Sequence, residues 1–132
     1  MARRLQERCI CLLSRTENVD MRNTGNLKQI LYTVPQGKKM IPDLVVLHSL
    51  SAAVACGSDN DFGDGAAADT WRNTVDFSGV DSITKHYVRS GYNAVYDIFD
   101  AGDEFGIMAN ILDDAAGAVT GTIDLYGYEY DA

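Results

Sequence analysis

A chain of 132 residues, 46% hydrophobic and 23% charged, is long enough to bury a core without staples and too apolar to be disordered. No apolar run approaches the roughly 20 residues of a membrane-spanning helix. The opening MARRLQERCICLLSR has an apolar run, Cys9 to Leu13, that is too short for an export signal, so neither secretion nor a membrane span is expected. The net charge of −8 is unevenly divided: residues 1–39 hold eight Lys and Arg against three acids, and the rest hold three bases against sixteen acids. A basic end of +5 on a body of −13 suits docking onto an acidic surface, whether another copy or another protein. The plainer alternative is a solvated tail. The basic residues are scattered, and the acidic body would repel phosphates, so direct nucleic-acid binding is not expected.

Short apolar runs separated by turn chemistry dominate the chain. Residues 7–15 predict a first strand, and RTENVDMRNTGN then reads as a loop. Residues 27–34 predict a second strand, with Ile30, Tyr32 and Val34 on one face. Pro35 to Lys39 turns the chain, and residues 40–49 return antiparallel as the other arm of a hairpin. That arm is apolar on both faces apart from Asp43, and its Pro42 calls for a strand start, a bulge or a sheet edge. The stretch SDNDFGDG reads as a loop. AADTWRNTV reads either as a helical turn capped by Asp69 or as the start of a strand. Residues 95–99 predict a strand, DAGD a turn, and residues 104–112 the answering strand. The last strand runs over residues 118–130. Six to eight short strands and no long amphipathic helix make this an all-β chain. The expected fold is an antiparallel β-sandwich, jelly-roll-like, in one globular domain. Residues 1–26 form its basic arm and first strand, and residues 27–132 the sandwich.

Side chains with reactive chemistry are few. Cys9, Cys11 and Cys56 make no disulfide framework. Cys9 and Cys11, two apart on a strand, share a face and read as buried structural thiols rather than as metal or redox ligands. Asp59, Asp61 and Asp64 give an oxygen-rich loop, a weak candidate for calcium. The spacing departs from the helix-loop-helix calcium pattern, with Gly63 and Thr70 where acids are wanted, and an acidic turn explains the run equally well. No signature places a nucleophile beside His48 or His86, and the glycine-rich acidic stretch has the wrong sign for a phosphate. No catalytic residue, metal or cofactor is assigned, and an enzyme is not expected.

The last strand carries more information. Val119, Ile123 and Leu125 alternate with Thr120, Thr122 and Asp124, and the polar side then continues as Tyr126, Tyr128 and Tyr130. Three tyrosines project from the face opposite the core residues. A protein contact, a strand crossing between sheets and a sugar-stacking platform all fit that pattern. Together with the doubly apolar residues 40–47 it favours a contact with further copies of the chain, using Val45, Leu47, Tyr126, Tyr128 and Tyr130.

YTVPQGKKMIPDLVVLHS, DFGDGAAADTWRNTVDFS, VYDIFDAGDEFGIMANI and the closing GTIDLYGYEYD resemble the small jelly-roll-like β-sandwich decoration, or cement, proteins of tailed-bacteriophage capsids. The resemblance runs from about Leu27 to the last residue. It implies a non-enzymatic structural protein, made in the bacterial cytoplasm and carried on the outer capsid surface. It further implies a homotrimeric knob that clamps neighbouring copies of the major capsid protein through many repeated weak contacts. The basic segment, with Arg3, Arg4, Arg8 and Arg15, is then the natural docking arm. The alternative is a carbohydrate- or receptor-binding module of a tail or fibre.

Overall fold

In the computed structural model, which describes residues 10–22, 27–54, 57, 59–89, 97–109 and 119–132, two antiparallel sheets pack face to face. The strands are β1 (Cys11–Asp20), β2 (Gln29–Thr33), β3 (Lys38–His48), β4 (Asn60–Gly63), β5 (Arg72–Val75), β6 (His86–Arg89), β7 (Phe99–Asp100), β8 (Glu104–Ala109) and β9 (Thr120–Asp131). One sheet has the order β1-β9-β3-β6, with β7 also paired to β3; the other has the order β2-β8-β4-β5. Among the described residues no helix is long and apolar enough to cross a membrane.

Two expected hairpins are crossings instead. The turn at Pro35 to Gly37 forms, with Gly37 at φ 77° and the Lys38 N–H donating to the Pro35 carbonyl (3.2 Å). Yet β2 pairs with β8 and β3 with β9, so the chain passes here from one sheet to the other. Likewise β7 joins β3, while β8, expected to answer it, joins β2 and β4. The two crossings lie side by side: the Val34 N–H donates to the Asp103 carbonyl (3.0 Å), and the Gly102 N–H to the Val34 carbonyl (2.8 Å). Strong turn chemistry sets where a chain reverses, but partner choice is settled by which apolar faces meet.

β3 is apolar on both faces because it is an interior strand. Met40, Val45 and Leu47 are fully buried between the sheets, and Ile41 and Val46 lie beneath neighbouring side chains on the outer face. Pro42 falls at a register shift between Pro42 and Leu44, where the missing N–H interrupts no regular ladder. β9 alternates as expected, with Val119, Ile123 and Leu125 in the core. Phe62 of β4 sits within an aromatic group, its ring centroid 6.3 Å from Trp71, 6.1 Å from Phe77 and 6.5 Å from Phe105.

Three other expectations are corrected. RTENVD is not loop but the second half of β1, an edge strand whose open side tolerates polar residues. It carries a bulge between Thr16 and Val19, with Asn18 at φ 58°. NDFG is not loop but the buried strand β4; of the two alternatives left open for AADTWRNTV, the strand holds, as β5. Cys11 is exposed at the start of β1, not buried; Cys9 and Cys56 lie outside the described residues.

The sandwich has unlike sides. Where β1 meets β2, the Asp20 N–H donates to Gln29 Oε1, and Gln29 Nε2 donates to the Asp20 carbonyl, both at 2.7 Å. One side-chain amide thus does the work of a strand pair and stitches the sheets together. On the opposite side, β5 and β6 stand apart across a cleft of about 440 Å³.

Candidate functional site

In an antiparallel ladder, directly paired residues share a face. On the outer face of the five-stranded sheet, Tyr126 therefore lies between Leu12 of β1 and Leu44 of β3, Tyr128 lies beside Ile41, and Tyr130 beside Lys39. The tyrosines are half-buried by these neighbours. Leu12 and Ile10 remain 46% and 48% exposed, which leaves an apolar and aromatic stripe across three strands. Of the five residues expected to make subunit contacts, the three tyrosines are on this face and Val45 and Leu47 are not. Both have 0% exposure, because the four-stranded sheet already covers the inner face of β3.

Beside the stripe lies a charged centre that the sequence reading missed. Asp124 of β9 is 3% exposed on this outer face and accepts from Arg15 Nε (2.7 Å), Arg15 Nη2 (3.0 Å) and His48 Nε2 (3.0 Å). His48 Nδ1 is 2.8 Å from Ser49 Oγ, and Ser49 adopts φ 55°. The Arg15 hydrogen bond holds the Asp124 carboxyl below the usual carboxylate range; burial opposes this, and His48 adds to it. Ser49, His48 and Asp124 form a hydrogen-bonded chain of residue types that can relay a proton. In this one the carboxylate is also bidentate to the Arg15 guanidinium. The signals were present separately: an acid in an apolar strand, a histidine in another, and an arginine in a polar run.

The docking arginines divide. Arg3, Arg4 and Arg8 lie outside the described residues. The side chain of Arg15 is 52% exposed and tied to Asp124. Lys38 and Lys39 are also paired, with Asp131 (2.6 Å) and Asp100 (2.5 Å). The three candidate aspartates do not converge. Asp61, buried in β4, accepts from the Thr74 N–H (2.9 Å), while Asp64 accepts from Thr70 Oγ1 (2.5 Å). Among the described residues, no three His, Cys, Asp or Glu side chains are grouped to hold a metal ion.

The cleft between β5 and β6 is lined by Asp69 and by consecutive residues of both strands, 71–75 and 86–89; of these, Tyr87 and Arg89 pair with Val46 and Leu44 and so share the outer face of the five-stranded sheet. The His86 ring meets Phe77 edge-on at 5.0 Å, and burial lowers its proton affinity below the ordinary value, against the pull of Asp76. At the other end of the sandwich, the Tyr32 hydroxyl donates to the Glu129 carboxylate, and burial followed by that bond raises the phenol above its ordinary value.

No family model matches this chain, and neither does any curated protein or solved structure.

Proposed function

We propose that this chain is a non-enzymatic virion structural protein of the jelly-roll type, a capsid decoration protein that works as a homotrimer on the outer capsid surface. The fold assignment is supported by the strand order. The order β1-β9-β3-β6 facing β2-β8-β4-β5, with the chain changing sheets at most connections and β7 a short addition, supports reading the sandwich as two four-stranded jelly-roll sheets. Such folds host unrelated activities, so the functional reading rests on a surface.

The observation that carries it is the stripe of Ile10, Leu12, Leu44, Tyr126 and Tyr128 across β1, β9 and β3. Its occupant is a second copy of the chain. Aromatic and aliphatic area with polar tyrosine tips is the composition of a protein contact, and a chain divided into +5 and −13 offers complementary charge to its own copies. The assembled knob then meets the major capsid protein through the basic first segment.

The test is absolute mass in solution by light scattering. Three copies of a 14.4 kDa chain give about 43 kDa, and Leu12→Asp, which sets an unpaired charge in the stripe, shifts that mass toward the monomer. A monomer at every concentration overturns self-association and brings the glycan- or receptor-binding alternative forward. A trimer unchanged by Leu12→Asp overturns the stripe as its interface.

A further inference from the structure

We propose that the Arg15–Asp124–His48 centre makes the contact between copies acid-sensitive: copies stay associated while His48 is neutral and part when it takes up a proton. This rests on the reading of the outer face of β1, β9 and β3 as a self-contact. Centre and stripe belong to one surface. Leu12 pairs with Tyr126 and Arg15 with Asp124, in neighbouring outward rows of β1 and β9. Along β9, Asp124 stands two residues from Tyr126, a distance of about 7 Å. The Asp124 row continues through Val46 of β3 to Tyr87 of β6, so it crosses the whole width of the sheet beside the stripe.

A buried contact tolerates this centre because its charge is balanced, one guanidinium against one carboxylate with both carboxylate oxygens hydrogen-bonded. His48 is the variable member. Its side chain is 19% exposed, and Nε2 must donate to the Asp124 carboxylate, so in the neutral ring Nδ1 accepts from the Ser49 hydroxyl. A proton taken up at Nδ1 reverses only that last bond: Nδ1–H donates to Ser49 Oγ, and the hydroxyl turns its hydrogen outward. The network keeps its geometry while its net charge goes from zero to +1. Histidine is the side chain that makes this change between pH 5 and pH 8.

The groups facing His48 do not absorb the added charge. From β9 come Asp124 and the uncharged Thr122, which pairs with His48. From β1 comes Arg15, held protonated first by Asp124, with Tyr126 and Glu17 close enough to add to that. Tyr87 of β6 is uncharged, and Arg89, in the Leu44 row, is a further exposed cation on this face. One carboxylate thus serves both Arg15 and an imidazolium, and the same excess repeats on every copy. Covering an unbalanced charge is costly, so the proton is bound more readily by the separated copies than by the assembled ones.

The experiment is the absolute mass of the full chain by light scattering over a dilution series, near pH 7.5 and near pH 5.5 at one salt concentration, with amide spectra confirming the fold at both. The mass expected at the higher pH is about 43 kDa. At the lower pH the concentration of half-dissociation should rise by about tenfold or more. His48→Gln keeps a donor for Asp124 and cannot become charged, so it should hold its mass at both pH values. His86→Phe, which alters the other histidine, on the inner face opposite Leu47, should dissociate in acid as the wild type does. A monomer at every concentration near pH 7.5 refutes the self-contact, and the switch with it. An oligomer with the same dilution profile at both pH values refutes the switch and leaves the contact standing. An acid response that survives in His48→Gln, or that vanishes in His86→Phe, overturns the assignment to His48.

Discussion

Replacing Asp124 with Asn keeps the volume of the side chain and removes its charge. Three charge-assisted bonds end on this carboxylate, two from Arg15 and one from His48. Asn can still accept one neutral bond, but its amide hydrogens face donors. Breaking a fully buried pair costs about 3–5 kcal/mol, and exposed pairs contribute about 0–1 kcal/mol. The Asp124 side chain is 5% exposed, which favours the upper range, but that of Arg15 is 52% exposed and can return to water. The balance is a loss of about 2 kcal/mol, a fall in Tm of about 6–10 °C for a domain of this size. The sign with pH follows from linkage. A carboxyl depressed in the folded state contributes stability that is fully present above its unfolded value, near 4, and is lost as pH falls through the folded value. The gap between wild type and Asp124→Asn, measured by urea unfolding, should therefore be widest at pH 7 and shrink at pH 3. A gap of the same size at both pH values would refute the charged-network argument and leave only a packing effect. In the Arg15→Gln background, Asp124→Asn should do less damage than it does alone.

Other perturbations test the scaffold. A Cβ at Gly127 would stand 2.4 Å from the Ile41 carbonyl oxygen and 3.1 Å from Pro42 Cα, backbone that cannot yield without parting β9 from β3. Gly127→Ala should lower stability by about 2–3 kcal/mol in chemical unfolding. Gln29→Ala removes both bonds to Asp20 and should cost about 1–2 kcal/mol, with amide exchange rising first at the β1–β2 side. His86 is disfavoured as a cation in the folded state, so wild-type stability should fall between pH 7 and pH 5, and His86→Phe should flatten that fall in thermal scans. An equal pH response in the two proteins would remove His86 from the account.

Local periodicity was legible and partner choice was not. The alternation of residues 119–130 correctly sorted Val119, Ile123 and Leu125 from the tyrosines, because a strand two-sided in burial writes that pattern into its own residues. Pro35 and Gly37 likewise marked a real turn. Whether that turn joins two strands of one sheet or passes between sheets depends on β8 and β9, some 70 to 90 residues later in the chain. NDFG looked like loop because Asn, Asp and Gly are turn formers. Burial overrode that preference: Phe62 fills the core, the Asn60 amide donates to the Gly57 (2.8 Å) and Val75 (3.0 Å) carbonyls, and Gly63 leaves room for the backbone of Thr70. Val45 and Leu47 were correctly read as needing cover, but the cover is the chain's own second sheet. The Asp124 centre draws Arg15, His48 and Asp124 from three strands and matches no contiguous motif, so only the folded chain brings them together.

The place of β9 between β1 and β3 has a consequence for biosynthesis. Arg15 and Asp124, which meet across that ladder, are 109 residues apart in the chain. Until residues 120–131 have left the ribosome, β1 and β3 are two long strands with a gap between them, and the gap is flanked by Ile41, Leu44 and Val46. The five-stranded sheet can close only once β9 has emerged, over long loops and at the slow rates of non-local pairing. During that interval the nascent chain presents open strand edges to every neighbour. Yield in a crowded cell should therefore follow synthesis rate and chaperone supply more closely than the stability of the finished fold.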